Sequence, residues 1–242
     1  MPRFFVNSPL AVGDTVVIDG ADARHIAGAL RMSVGEALTL CNGAGTDYAC
    51  TITAVGKDTV AAAVDAAAPT ASEPTLAVTL YMGMPKGDKL ELIIQKAVEL
   101  GVTAIVPVIT ARSIVRVSGK DAEKKQVRLQ RIAAEAAGQS GRGIIPRVEA
   151  PIAWKAALAR LAEETTLLCY EGGGTPIGTL VTPSDTAVSL VVGPEGGFDP
   201  AEVEAVIAAG GKIATLGPRI LRCETAPLAA LAVLMERSGN MA

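Results

Sequence analysis

The stretch that most constrains the fold is 187–211, where the apolar run AVSLVV leads into GPEGG and then into a helix with a marked start. The run is short and apolar at successive positions, which is typical of a strand buried on both faces of a parallel sheet. The helix is predicted to begin with Asp199 as N-cap, Pro200 at its first position and Glu202 completing a capping box, and to end at two glycines. Ligands bind where such strands end in α/β sheets.

The composition of the GPEGG loop limits which ligand it can hold. A phosphate-binding loop presents consecutive backbone N–H groups and a nearby lysine, whereas here Pro194 removes one donor and Glu195 introduces a carboxylate. The loop therefore favours a neutral or cationic ligand over a polyanion.

Two further runs repeat this arrangement. TTLLCYEGGG (165–174) ends in a glutamate and three glycines, and KIATLGPRILRCETAP (212–227) contains a strand-like run that ends in Gly-Pro. Neighbouring strands would bring the three loops together, and glycines there let bare backbone approach a ligand and recognise an adenine-like edge. The alternative is that each loop is only a tight turn.

The same residues carry a family resemblance. GPEGGF followed by LGPRILRCETA resembles the cofactor-binding region of the SPOUT methyltransferases, which have a trefoil knot at the carboxyl end. MPKGDKLELIIQKAVELGV (84–102), RSIVR (112–116) and RIAAEAAGQSGRGIIPRV (131–148) resemble the RsmE family, the 16S ribosomal RNA uridine N3-methyltransferases. Two departures stand out: Cys223 replaces a more usual Thr, and Pro227 interrupts the run after ETA.

The resemblance implies S-adenosyl-L-methionine as cofactor and 16S rRNA, in the small ribosomal subunit, as substrate. The resemblance and the three loops together predict a cofactor site. Its residues are Tyr170, Glu171, Gly193, Pro194, Glu195, Gly196, Gly197, Leu216, Gly217, Ile220, Leu221, Arg222, Thr225 and Ala226. Deprotonated uracil carries delocalised negative charge, which an arginine can stabilise, and Arg222 is the catalytic candidate. Glu224, the second candidate, would orient Arg222 or accept a proton. The alternative for both is an ion pair at the start of the last helix.

The pattern of elements changes near residue 70. Residues 1–68 contain the strand-like runs TVVIDG, EALTLCNG, YACTITAVG and TVAAAVDA, which predict a small β-barrel, and APTASEPT (68–75) is a linker. Strands then alternate with helices, as in an α/β domain. We therefore expect a β-barrel domain over 1–70, PUA-like and RNA-binding by resemblance, and an α/β SPOUT domain with a parallel sheet over 75–242.

The net charge of −3 hides a local basic segment. Nine Lys and Arg residues lie between 112 and 147, against three acidic residues. Lys and Arg that contact phosphates give RNA affinity, although the exposed face of an amphipathic helix would show the same charges. The RNA-binding candidates, taken over the whole chain, are Arg3, Arg24, Arg31, Arg112, Arg116, Lys124, Lys125 and Arg142. Phe4 and Phe5 are the candidates for base stacking.

Several other features bound the class of protein. No apolar stretch reaches the roughly 18 residues of a membrane span, and the amino terminus lacks a signal peptide's apolar core, so we expect a cytoplasmic protein without membrane contact. Four cysteines without a C-x-x-C pair and one histidine predict free thiols and no metal. His25 is expected to be structural, with an RNA contact as the alternative suggested by resemblance.

The last segment, APLAALAVLMER, is apolar nearly all round and needs burial on most sides. Packing within the domain is one account, and the resemblance implies a homodimer formed through this part of the chain. Three other functions would require different sequence features. A ribose 2′-hydroxyl methyltransferase would carry an Asn-x-Gly segment, an oxidoreductase would need G-x-G-x-x-G where LYMGMPKGDKLE stands, and a non-catalytic RNA-binding module would not need three ligand-type loops.

Overall fold

The structure is a computed structural model that describes residues 1–6, 8–114 and 120–241, with the backbone alone at 120 and 121. Of the residues singled out above, Arg116 lies outside the described residues. The chain forms two compact units, each made of two stretches: Met1–Glu73 with Ala137–Ile145, and Pro74–Ala136 with Pro146–Ala242.

The described residues of the first unit form the strands β1 (Arg3–Phe5), β2 (Thr15–Asp19), β3 (Ala37–Cys41), β4 (Thr46–Val55) and β5 (Thr59–Pro69). They form one sheet in the order β1-β3-β4-β5-β2, with β1 parallel to β3 and the other pairings antiparallel. A short helix, α1 (Gly20–Arg24), continues into a π-helical turn at His25–Ala29. The strands that the sequence predicts in this region are confirmed.

The core of the first unit follows from the alternation of residues along its strands. In β5, Val60, Ala62 and Val64 are buried, while the residues between them are less so. Leu38 of β3 and Ile26 beside α1 are fully buried in the same cluster. Because successive side chains of a strand point to opposite faces, this period of two buries one face of the sheet.

An ion pair holds the second stretch of the first unit in place. The Glu73 carboxylate accepts from the Arg142 guanidinium at 2.7 Å and from the backbone N–H groups of Gly143 and Ile144 at 2.8 and 3.0 Å. Arg142 is only 2% exposed. The expectation that Arg142 contacts RNA is therefore corrected: its charge is buried against Glu73 and does not face solvent.

Arg3 also has a structural partner. Its guanidinium donates two hydrogen bonds to the Asp47 carboxylate, at 2.5 and 2.6 Å, and the Thr70 hydroxyl donates a third at 2.6 Å. Burial raises the pKa of Asp47, but the bonds from Arg3 and Thr70 outweigh it and hold that pKa below its usual value. The guanidinium of Arg3 is thus engaged by Asp47, and an RNA contact there stays a prediction. The adjacent Phe4 lies in the core, not on a stacking surface.

The second unit alternates strands with helices. Its strands are β6 (Ala77–Gly83), β7 (Ala104–Ile109), β8 (Arg147–Val148), β9 (Ile152–Ala153), β10 (Thr166–Cys169), β11 (Thr175–Pro176), β12 (Ala187–Val192) and β13 (Lys212–Thr215). Its helices are α2 (Lys89–Glu99), α3 (Lys120–Gln139), whose last turn belongs to the first unit, α4 (Trp154–Leu161), α5 (Pro200–Ala208) and α6 (Ala226–Arg237). A short 3₁₀ turn occupies Ile177–Thr179.

The strands of this unit form one sheet in the order β11-β13-β10-β12-β6-β7-β8, with β9 also beside β7. Every pairing in it is parallel. Five of the six residues of β12 are buried, as expected of a strand covered on both faces. The helix after it begins as predicted, with Asp199 as N-cap, Pro200 in the first turn and a complete capping box with Glu202. The predicted parallel α/β architecture is thus confirmed.

The last helix, α6, begins at Ala226 and carries Pro227 in its first turn. Its buried residues include Leu231, Leu234 and Met235, and it packs against α2 and the sheet strands β6 and β12. Much of its apolar surface is therefore covered within the unit. Over the described ranges, none of the helices combines the length and hydropathy that crossing a membrane requires.

Candidate functional site

Three loops meet at one edge of the parallel sheet. They follow β10, β12 and β13, which are neighbours in the order β13-β10-β12, and the carboxyl ends of parallel strands lie at the same edge. Together they border a cavity of about 820 Å³. Ligand pockets are typically about 300–1,000 Å³ in volume, so the cavity has room for a cofactor-sized molecule.

Most of the predicted cofactor residues line this cavity. Those that do are Tyr170, Glu171, Gly193, Pro194, Glu195, Gly196, Gly197, Leu216, Gly217, Ile220, Leu221, Arg222 and Ala226. Thr225 and Glu224 lie beside the lining residues Ala226 and Cys223 without lining the cavity themselves. The structure therefore brings the three loops together as the sequence predicts.

Lys89 also lines the cavity, although it is not among the site residues predicted from the sequence. It is the first residue of α2 and follows β6, the sheet neighbour of β12. A signal was present, because the stretch between β6 and α2 is also a loop at the carboxyl end of a parallel strand. That stretch lacks the run of glycines that drew attention to the other three loops.

Backbone geometry explains part of the GPEGG loop. The N–H of Gly197 donates to the carbonyl of Pro194 at 2.9 Å, and Gly197 has φ +65°, a conformation that favours glycine. Gly83 at the end of β6 packs directly under Pro194, where a Cβ would clash with the proline ring. Turn formation and close packing therefore require some of these glycines whatever ligand is bound.

Arg112 follows the carboxyl end of β7 and contacts the same loop. Its guanidinium donates to the carbonyl of Gly196 at 3.0 Å and lies 3.9 Å from the carboxylate of Asp199. A Cβ on Gly196 would lie 3.2 Å from the Cβ of Arg112. The lack of a side chain at Gly196 thus makes room for Arg112, while Gly196 also lines the cavity and its contact with the cofactor stays a prediction.

A chain of charges crosses one wall of the cavity. The ammonium of Lys89 lies 3.0 Å from the carboxylate of Glu195 and 3.2 Å from that of Glu224. The backbone N–H of Lys86 also donates to Glu195, at 3.2 Å. The carboxylate of Glu195 is therefore paired with Lys89, which it shares with Glu224, and it is not the open carboxylate expected from the sequence.

These contacts shift the pKa values of the groups involved. Hydrogen bonds to Glu195 and then Glu224 raise the pKa of Lys89 to about 12. Burial raises the pKa of Glu195, but its own backbone N–H, Lys89 and Lys86 together hold that pKa below the usual value. Glu224 has a lowered pKa because its own backbone N–H and then the Cys223 thiol donate to it. At neutral pH the site contains one ammonium between two carboxylates.

Among the described residues that line the cavity, Glu171, Arg219 and Arg222 are charged and exposed. Glu171 lies on the loop after β10, and its carboxylate occupies the side of Gly197 where a Cβ would point. Arg222 exposes its side chain at the cavity wall, while its carbonyl accepts from the N–H groups of Thr225 and Ala226 at 2.9 Å each. Glu224 pairs with Lys89 and not with Arg222, which was the alternative expected from the sequence.

The remaining RNA-binding candidates fall into two groups. Arg24 and Arg31 are exposed in the first unit, and Arg31 has φ +53°, which is unusual for a residue other than glycine. Lys124 is exposed on α3, and Lys125 is half-buried. These side chains remain candidates for contact with phosphates.

The histidine and the cysteines have local explanations. His25 is exposed, and its ring meets that of Phe4 edge-on at a centroid distance of 6.0 Å. All four cysteines are free thiols, as predicted, and two of them, Cys169 and Cys223, line the cavity. Within the described ranges no cluster of three or more His, Cys, Asp or Glu side chains is placed to bind a metal ion.

Comparison with known proteins defines the class. Residues 72–235 match the RNA methyltransferase domain family, and residues 18–65 match the RNA methyltransferase PUA domain family. A glycine-lined cavity at the carboxyl ends of a parallel sheet, in a chain with these two matches, defines an RNA methyltransferase.

Full-length relatives narrow this class. Ribosomal RNA small subunit methyltransferase E of Bacillus subtilis is 37% identical, over 97% of this chain and 96% of its own. The crystal structure of ribosomal RNA small subunit methyltransferase E from Neisseria gonorrhoeae, bound to S-adenosyl methionine, has a TM-score of 0.88 and 38% identity, covering 98% of this chain and 97% of that one. A methyltransferase structure from Legionella pneumophila, in complex with the same cofactor, has a TM-score of 0.85 and 31% identity, over 97% and 96%. The chain belongs to the ribosomal RNA small subunit methyltransferase E family.

Proposed function

We propose that this chain is an S-adenosylmethionine-dependent methyltransferase that methylates N3 of a uridine in 16S ribosomal RNA. The observation that carries the proposal is the cavity enclosed by the loops after β10, β12 and β13, in a member of a family with solved relatives that hold S-adenosylmethionine. The uridine N3 specificity rests on the motifs that resemble the RsmE family.

The residues at the cavity fit this cofactor. Bare backbone from three glycine-containing loops supplies N–H and C=O groups that can hydrogen-bond the edge of an adenine. Gly217 has φ +101° with open space on the side where a Cβ would point, so the chain approaches the cavity there without a side chain. The exposed carboxylate of Glu171 provides negative charge suited to a cationic ligand.

The chemistry divides between the cofactor and the chain. Bound S-adenosylmethionine supplies an electrophilic methyl group on a sulfonium, so the chain must mainly hold it and align the nucleophile. The N3 atom of uridine becomes nucleophilic when its proton leaves, and negative charge then spreads to the neighbouring carbonyl oxygens. We assign the stabilisation of that charge to Arg222, and the exposure of its side chain at the cavity wall supports this role.

The proposal extends to the architecture and partners that the RsmE resemblance implies. A PUA-like β-barrel over 1–70 binds RNA, and the domain over 75–242 carries a trefoil knot and dimerises through the region of α6. The substrate is 16S rRNA, in the small ribosomal subunit, so the enzyme works in the cytoplasm. The reaction draws its electrophile from the cofactor, and we include no metal in the proposal. The exposed residues Arg24, Arg31 and Lys124 support an RNA partner because each presents an unburied positive charge.

A pair of glycine variants tests the cofactor site. Gly217 and Gly210 both have positive φ, +101° and +87°, and neither has a neighbour within 4 Å of an added Cβ. A valine at either position imposes backbone strain of about 1–3 kcal/mol, but only Gly217 lines the cavity. We expect Gly217→Val to weaken S-adenosylmethionine binding by about tenfold or more in calorimetric titration, and Gly210→Val to leave it unchanged. Wild-type affinity in folded Gly217→Val would show that the cofactor binds elsewhere.

A further inference from the structure

Lys89 joins three segments that are far apart in the sequence. It begins α2, its carboxylate partner Glu195 lies in the loop after β12, and its second partner Glu224 lies just before α6. Its side chain is 34% exposed and lines the cavity. The Sγ of Cys223 lies 3.8 Å from its Nζ, so the ammonium has polar neighbours on several sides.

We propose that Lys89 is a positioning residue for methyl transfer, which holds Glu224 and thereby fixes the turn that carries Arg222. This inference rests on the proposed function, because the reaction it describes is methyl transfer at this cavity. It assigns Lys89 no contact with substrate or cofactor.

The turn before α6 explains how Lys89 can act on Arg222. The carbonyl of Arg222 accepts the N–H groups of Thr225 and Ala226, so residues 222–226 form one hydrogen-bonded turn. Glu224 lies inside this turn and is tied through Lys89 to the opposite loop. Arg222 has a long, exposed side chain, and its placement depends on how firmly this turn is held.

Proton transfer is a poor alternative role for this pair. Lys89, with its pKa raised to about 12, stays an ammonium at neutral pH and has no lone pair to accept a proton. Glu224, with a lowered pKa, is a weak base. Both groups are better suited to holding structure than to exchanging a proton with uridine, which favours the orienting role for Glu224.

The two ion pairs of Lys89 are not equally replaceable. Glu195 retains the backbone N–H of Lys86 as a second anchor from the β6 side. Glu224 also accepts a hydrogen bond from the thiol of Cys223, its own neighbour in the turn, which cannot tie the turn to another segment. Loss of Lys89 should therefore disturb the turn of Arg222 more than the loop of Glu195, and slow methyl transfer more than it weakens cofactor binding.

The test compares Lys89→Met with Lys89→Arg and with a control on the same helix. Lys96 also pairs with a carboxylate, that of Glu99 at 2.8 Å, but does not line the cavity, so Lys96→Met is the matched control. In single-turnover methylation of ribosomal RNA, we expect Lys89→Met to lower the rate about tenfold or more while the S-adenosylmethionine Kd changes less than about threefold. Lys89→Arg should recover most of the rate, and Lys96→Met should match wild type.

A double variant and hydrogen exchange separate positioning from a general loss of folding. Lys89→Met combined with Glu224→Gln should be no slower than the slower single variant, because both changes break one connection. Amide exchange at 222–226 should quicken in Lys89→Met, a result that does not depend on any reaction. An unchanged rate, equal losses of rate and affinity, additive effects in the double variant, or unchanged exchange would each overturn the proposal. A wild-type protein that methylates no uridine would instead refute the proposed function. The exchange measurement would still test whether Lys89 holds the turn through Glu224.

Discussion

The buried pair of Arg142 and Glu73 offers a sharp test of how the first unit is held together. We expect Arg142→Met, which keeps much of the side-chain volume, to leave the Glu73 carboxylate without its cation. Removing one partner of a buried ion pair costs about 3–5 kcal/mol. Glu73 is 13% exposed in its side chain and keeps two backbone N–H donors, so the lower end, about 3 kcal/mol, applies.

A second change should recover part of this loss. Glu73→Gln removes the uncompensated charge and leaves a carbonyl oxygen that can still accept from Gly143 and Ile144. The double variant Arg142→Met with Glu73→Gln should therefore be more stable than Arg142→Met alone by about 1–2 kcal/mol. Arg131→Met is the control, because Arg131 pairs with Glu135 at an exposed i,i+4 position that contributes less than about 0.5 kcal/mol.

The measurement is native-state amide exchange at residues 137–145, because a chain with two compact units need not unfold in one step. The free energy of opening of this stretch should fall by about 3 kcal/mol in Arg142→Met and by less than about 0.5 kcal/mol in Arg131→Met. A fall of less than about 1 kcal/mol in Arg142→Met, or a double variant less stable than the single one, would refute the assigned role.

Three further predictions concern catalysis, pH and RNA. Arg222→Ala should slow single-turnover methylation by about 10² or more while calorimetry shows intact cofactor binding; a parallel loss of binding would mean that Arg222 holds the cofactor instead. Asp47 has a folded-state pKa below its usual 3.8, so it binds fewer protons when folded and its contribution to stability is present above pH 3.8 and lost as pH falls further. Urea unfolding should therefore show Asp47→Asn to be destabilising at neutral pH and progressively less so in acid, and a constant difference would contradict this. Replacing Arg24 and Arg31 by Gln should reduce the log–log salt slope of RNA binding by about one per lost phosphate contact, with exposed Lys57→Gln as control, whereas an unchanged slope would remove both from the RNA surface.

Much of the fold could be predicted from the sequence, because the start of a helix or the burial of a strand depends on residues that are close together in the chain. The capping box at Asp199 and the apolar run of β12 are decided by residues adjacent in sequence, and both are present as predicted. The inclusion of Ala137–Ile145 in the first unit involves contacts between residues far apart in the sequence, among them Arg142 and Glu73, which are separated by 69 positions. An arginine in a basic segment looks the same in sequence whether its partner is a phosphate or a distant carboxylate.

The candidate site shows the same division. Glycine-rich loops at strand ends predicted the lining of the cavity, because the topology of a parallel sheet brings such loops together. The contact between Gly196 and Arg112 and the pairing of Glu195 with Lys89 depend on side-chain directions that spacing in the sequence does not reveal. Because of these two contacts, the GPEGG loop is a turn held by Arg112 with a carboxylate paired to Lys89, and not an open acidic loop around a ligand.

The most direct test of the proposed activity is to map the methylated position. The protein is incubated with labelled S-adenosylmethionine and with either purified 16S ribosomal RNA or small-subunit particles, and the RNA is then digested to nucleosides and separated, with mass spectrometry to locate the methyl group. We expect the label in 3-methyluridine from a single site in the RNA, at a rate that falls in Arg222→Ala. Label on a ribose 2′-hydroxyl, on another base, or on no nucleoside with either substrate would contradict the proposal.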